Sequence, residues 1–117
     1  MQELFWMSYK IRITPYFERS LKKIAKKHRS IKSDVSILIE KLEQEPKTGI
    51  EIRTDLYKIR LSIAGLNKGK SGGARVITYV FVTDEIVLLA EIYLKSEYDT
   101  IDEQAVIEGL KEQGYIL

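Results

Sequence analysis

With 117 residues, 44% apolar and 31% charged, the chain can bury one hydrophobic core and reads as a single domain over residues 1–117. It has no cysteine and one histidine, His28, which excludes disulfides, thiolate metal sites and any centre built on paired histidines. No apolar run reaches the roughly 20 residues a membrane-spanning helix needs, so a cytoplasmic protein without membrane attachment is expected. The net charge of +2 hides an asymmetry: residues 56–83 carry Lys58, Arg60, Lys68, Lys70 and Arg75 and no acid, whereas residues 84–117 carry two basic and nine acidic residues. Such a concentration of positive charge attracts polyanions, nucleic acids foremost.

Along the chain, MQELFWM is too short for a membrane segment and lacks a cleavage signal; Met7 reads as an alternative start that would leave residues 1–6 as an extension. Tyr9–Thr14 alternates, with Ile11 and Ile13 on one side and Lys10, Arg12 and Thr14 on the other, which predicts a half-buried strand. From Pro15 the period becomes helical. Phe17, Leu21, Ile24 and Ala25 form an apolar stripe opposite Lys22, Lys23, Lys26 and Lys27, whose ordinary role is a solvated face. His28, at the polar end of this helix, reads as solvent-exposed. Ser30 or Ser33 can cap a second helix with Ile31, Val35, Leu38, Ile39 and Leu42 facing the core, ended by Pro46 and Gly49.

Strands follow. Leu56–Ile63 alternates, with Tyr57, Ile59, Leu61 and Ile63 inward and Lys58, Arg60 and Ser62 outward. A Gly-, Lys- and Ser-rich loop (Gly65–Gly73) leads to a strand at Arg75–Thr83. Thr83-Asp84-Glu85 turns it into Ile86–Leu94, where alternation groups Ile86, Leu88, Ala90 and Ile92 against Val87, Leu89, Glu91, Tyr93 and Lys95. Asp99 or Thr100 is expected to cap a last helix carrying Ile101, Ala105 and Leu110, with Gly114 near its end. Its acidic face reads as ordinary surface or as a segment lying against the basic sheet. The order strand, two helices, three strands, helix predicts an α+β fold in which a mostly antiparallel sheet packs against the two N-terminal helices.

Gly69-Lys70-Ser71 does not make a phosphate-binding P-loop. The required glycine five positions before Gly69 is replaced by Ala64, and a strand rather than a helix follows. Lys58 and Arg60 are more informative. Two residues apart on one strand, they share a face and repel each other unless an anion lies between them. Tyr93, Lys95 and Glu97 gather groups able to move protons near the end of a strand. Tyr79 reads as a core or platform residue.

The segments Leu56-Tyr57-Lys58-Ile59-Arg60-Leu61, Lys68 to Ile77 (KGKSGGARVI) and Ile92-Tyr93-Leu94-Lys95-Ser96-Glu97 resemble the RelE/ParE superfamily, and within it the HigB-like branch. The resemblance covers Met7 to about Leu110. It implies the toxin of a type II toxin–antitoxin pair: a ribosome-dependent messenger-RNA endoribonuclease that acts in the A site, needs neither metal nor cofactor, and is neutralised by a cognate antitoxin laid over or beside the basic face. In such enzymes the RNA 2′-hydroxyl attacks its neighbouring phosphate. The reaction needs a base, cations for the crowded phosphorane and a proton for the leaving oxygen. Carried onto this chain, Lys58 and Arg60 are the paired cations that contact RNA and assist proton transfer. Arg75 stabilises the transition-state phosphate, Lys95 contacts phosphate or acts as an acid, and Glu97 is a base or orienting group. Lys68, Lys70, Tyr79 and Tyr93 are RNA contacts. The pattern departs from relatives at Leu94, where Asp is frequent, and at Ser96, where RelE carries an arginine; the C-terminal RelE tyrosine has no clear counterpart, so Tyr93 or Tyr98 would have to substitute. A ParE-like inhibitor of DNA gyrase without nuclease activity, or a degenerate toxin retained as a binding partner, are the alternatives.

Overall fold

The computed structural model describes residues 8–64, 72–98 and 100–117. Among them are β1 (Lys10–Ile13), α1 (Pro15–Lys27), α2 (Ile31–Gln44), β2 (Ile50–Arg53), β3 (Leu56–Leu61), β4 (Ala74–Phe81), β5 (Ile86–Leu94) and α3 (Glu103–Glu112). The sheet runs β1-β5-β4-β3-β2. β1 pairs with β5 in parallel, and the other pairs are antiparallel.

Thr14 starts the helical layer. Fully buried, it donates from its backbone N–H to Leu89 O at 3.1 Å and from its hydroxyl to Ala90 O at 2.8 Å. The same hydroxyl accepts from Phe17 N at 3.0 Å, so one residue ends the β1–β5 pairing and caps α1. Pro15 then fixes the first turn. Phe17 and Ile24 from α1, and Ile31, Val35, Leu38 and Leu42 from α2, pack on Tyr57, Ile59, Val76, Val80, Val87, Leu89, Ile92 and Leu94. At the start of α2, Ser30 is not a side-chain cap. Its hydroxyl donates to Asp34 Oδ2 and to Ala64 O, both at 3.0 Å, and Ala64 N donates to the same carboxylate at 3.2 Å. The residues leaving β3 are thereby tied to α2.

The opposite face carries a second apolar cluster. Leu56, Ile77, Leu88, Ala90 and Tyr93 lie with Leu110 of α3, flanked by Tyr79, Phe81, Ile101, Val106 and Ile107. Arg53, ending β2, meets α3 through Glu103 at 3.7 Å and Gln104 at 3.0 Å. An acidic helix thus lies over one part of the face that also bears the basic residues.

The structure corrects several sequence expectations. β2 was not foreseen: it has four residues, and Ile50 is 66% exposed, so it leaves little hydrophobic signal. Ile13 is exposed and Thr14 buried, the reverse of the expected facing, because Thr14 serves as a cap. α3 is capped by Asp102, which accepts from Ala105 N at 3.1 Å, and not by Thr100; Asp99 lies outside the described residues. His28 is half-buried where α1 ends, its N–H donating to Ile24 O and its carbonyl accepting from Ile31 N. In β5 strict alternation fails. Thr78 pairs with Leu89 but Ile77 pairs with Glu91, leaving Ala90 as the extra residue of a β-bulge. Beyond it, Ile92 and Leu94 join Val87 and Leu89 on the helical side, while Tyr93 moves to the other face.

Candidate nucleic-acid interface

β3 alternates without interruption, so Lys58 and Arg60 share the face of Leu56, away from Tyr57 and Ile59. Arg60 lies directly opposite Arg75 of β4, and Arg75 directly opposite Tyr93 of β5. With neighbouring strands about 4.8 Å apart, Arg60, Arg75 and Tyr93 form a row some 10 Å across, and Lys58 stands about 7 Å along β3 from Arg60. Three cations from two strands therefore face the same side of the sheet.

The members of this group differ in exposure. Arg60 is exposed, Lys58 half-buried, and Arg75 only 6% exposed. Arg75 Nη1 donates to Gly72 O at 3.2 Å and to Ala74 O at 3.1 Å, which fixes its guanidinium at the head of β4. Gly73 has φ +78, and a Cβ there would stand 2.6 Å from Leu61 O, so only glycine allows the chain to pass so close to β3. Lys95 N donates to Gly73 O at 3.0 Å. The end of β3, the start of β4 and the end of β5 are pinned together there, and half-buried Lys95 lies two residues beyond the Arg60–Arg75–Tyr93 row.

Tyr93 is 6% exposed, and its hydroxyl has no hydrogen-bond partner among the described residues. Burial raises its pKa above the usual phenol value, against a smaller opposing pull from Arg75. The phenol is consequently a neutral, proton-bearing group at physiological pH.

The other expected residues lie elsewhere. Glu97, in the turn after β5, places its carboxylate 3.6 Å from Lys27 Nζ at the end of α1, so it is engaged with the helical layer. Tyr79 is four residues along β4 from Arg75, roughly 13 Å away. It packs in the α3 cluster with its ring centroid 4.9 Å from that of Phe81. Lys68 and Lys70 lie outside the described residues. Sequence reasoning missed a half-buried partnership at the bulge, where Glu91 Oε1 accepts from Ser20 Oγ at 2.8 Å and from Ile92 N at 3.0 Å. A signal existed: unbroken alternation would have pressed the Glu91 carboxylate beside Leu89 in the core, at high cost. Among the described residues, no group of three or more His, Asp or Glu is placed to hold a metal ion, and no helix is long and apolar enough to cross a membrane.

Two helices on one face of a mostly antiparallel five-stranded sheet, with a C-terminal helix on the other, define an α+β fold of the RelE type. The Escherichia coli toxin RelE, solved in its free state as an arginine-to-alanine double mutant, matches with a TM-score of 0.57 over 92% of this chain and 98% of its own, at 14% identity. The likeness is one of fold. No family model and no curated protein matches the chain.

Proposed function

We propose that this chain is the toxin of a type II toxin–antitoxin pair and cleaves messenger RNA in the ribosomal A site. One observation carries the reading: Arg60 and Arg75 stand opposite each other with Lys58 on the same face, a concentration of cations on one side of the sheet that attracts a polyanion such as RNA. The RelE-type fold supports the choice of reaction.

In this reading the 2′-hydroxyl attacks the adjacent phosphorus. The P–O5′ bond breaks, leaving a 2′,3′-cyclic phosphate and a free 5′-hydroxyl. Lys58 and Arg60 offer surface to the phosphate oxygens. Arg75, held by Gly72 and Ala74 carbonyls beneath them, acts as a fixed positive charge. Such preorganised charge stabilises the phosphorane without reorganisation during the reaction, so the cleavage is read as metal-independent. The 2′ proton passes to water, Lys58 staying an ammonium on the phosphate oxygens. Tyr93, kept protonated by burial, can donate and is no base. Lys95, at the same end of the sheet, is a further phosphate contact. Glu97 is assigned no part because it is engaged by Lys27. The acidic segment of a cognate antitoxin would complement the same basic face.

Cell-free translation followed by primer extension tests the proposal. Codon-bounded cuts that require ribosomes and disappear in Arg75→Ala are expected. Intact messenger RNA together with inhibition of gyrase supercoiling would overturn it in favour of a ParE-like inhibitor.

A further inference from the structure

Beside the cationic row, on the far side of Tyr93, lies a cavity of about 160 Å³ lined by Ser20, Glu91, Tyr93, Tyr98 and Ile101. It arises from the bulge. With Ala90 as the extra residue, Glu91 turns toward α1, while Tyr93 presents its ring to Tyr98, centroids 6.1 Å apart and planes at 85°. One water needs roughly 10–15 Å³ of such space, and cavities that stay empty are apolar. This one is about ten times larger and has a carboxylate and a hydroxyl in its walls. Tyr98 is 58% exposed and forms the open side.

The walls select a guest. Two aromatic rings and Ile101 suit a flat ring that can stack. Glu91 is held through Oε1 by Ser20 and Ile92 N, and Oε2 accepts no hydrogen bond among the described residues, so the cavity offers a fixed, charged acceptor. A phosphate is repelled by that carboxylate; a base edge with N–H donors is attracted. A carboxylate reads the amino group of a base. The cavity lies beyond Tyr93, itself one strand spacing from Arg75, so a phosphate on the cations and a base in the cavity can belong to the same or the neighbouring nucleotide.

We propose that this cavity is a nucleobase subsite selecting a base with an exocyclic amino group (adenine, cytosine or guanine) over uracil, and that it sets where the RNA is cut. The inference rests on the ribonuclease reading for its biological meaning, and its test does not require cleavage. RNA tetramers carrying 2′-O-methyl groups, three uridines and one variable base are titrated into the 15N-labelled protein. The amino-bearing tetramers bind about tenfold tighter than all-uridine RNA, with the largest shifts at Glu91, Ile92 and Tyr98. In Glu91→Gln, which keeps an acceptor for Ser20, the four affinities converge to within about twofold. In Tyr98→Ala, a change at an exposed position, the discrimination weakens and the fold remains. Equal affinity for all four tetramers in the unmodified chain, or shifts confined to Lys58 and Arg60, would overturn the subsite. Discrimination without ribosomal cleavage would retain the subsite and overturn the ribonuclease reading; cleavage without discrimination would do the reverse.

Discussion

The two faces of the sheet are built to different ends. The face under α1 and α2 is apolar from Tyr57 through Val76 to Leu94 and is closed by Phe17, Ile31 and Leu42, all fully buried. The other face is apolar only where α3 covers it; toward the start of β4 it carries Lys58, Arg60 and Arg75. The first face, apart from the buried hydroxyl of Thr78 opposite Tyr57, is closed by apolar packing and stabilises the fold. The second gathers positive charge, arginine beside arginine, at the place where a polyanion would bind. Stability and function are thus separated by the thickness of one sheet, and substitutions should sort by face.

The largest effect belongs to the closed face. Phe17→Ala should cost about 3–5 kcal/mol, enough to abolish the folding transition in urea at 37 °C; a loss under 1 kcal/mol would mean that the helical layer is not the main source of stability. Next is the open face: Arg60→Ala should lower single-turnover cleavage by about 10²–10³ while leaving stability within about 0.5 kcal/mol, as expected at an exposed position. Loss of both activity and stability would show that Arg60 supports the fold instead. At the junction, Thr14→Val removes the α1 cap and the bond to Ala90 and should cost about 1–2 kcal/mol by chemical denaturation.

The smallest change concerns Tyr93. Its raised pKa means that the folded chain favours the neutral phenol. That contribution is present below the unfolded phenol value near pH 10 and is lost as pH rises toward the folded pKa. Tyr93→Phe should therefore flatten the fall in stability above about pH 10. At pH 7 it should leave stability within about 1 kcal/mol or raise it, since a buried hydroxyl without a partner is removed. A clear loss at pH 7 would mean that the hydroxyl is bonded in solution.

What the sequence disclosed follows the same division. β3 was legible because Tyr57-Lys58-Ile59-Arg60-Leu61 alternates cleanly, which put Lys58 and Arg60 on one side before any coordinates. The helices were legible from the spacing of Phe17, Ile24, Val35 and Leu42. The bulge at Ala90 was not, because it depends on how β4 and β5 register over distance, and it decides where Tyr93 and Glu91 point. β2 escaped because an edge strand that buries little carries no strong pattern. The burial of Arg75 escaped because it is set by the Gly72 carbonyl that accepts from it and by Gly73, whose close approach to β3 is a long-range contact. Glu97 was placed with the cations by proximity in the chain, but a turn after β5 carries it to Lys27.

The central claim is that cations from β3 and β4 act on a single phosphodiester, and a double-mutant cycle on single-turnover cleavage tests it most directly. Arg60→Met of β3, Arg75→Met of β4 and the double variant are compared on ribosome-bound messenger RNA. Two groups serving one phosphate are predicted to be non-additive, with the double variant within about tenfold of the slower single. A double variant slowed by the full product of the two single effects would contradict the account, because the two side chains would then be acting on separate parts of the RNA.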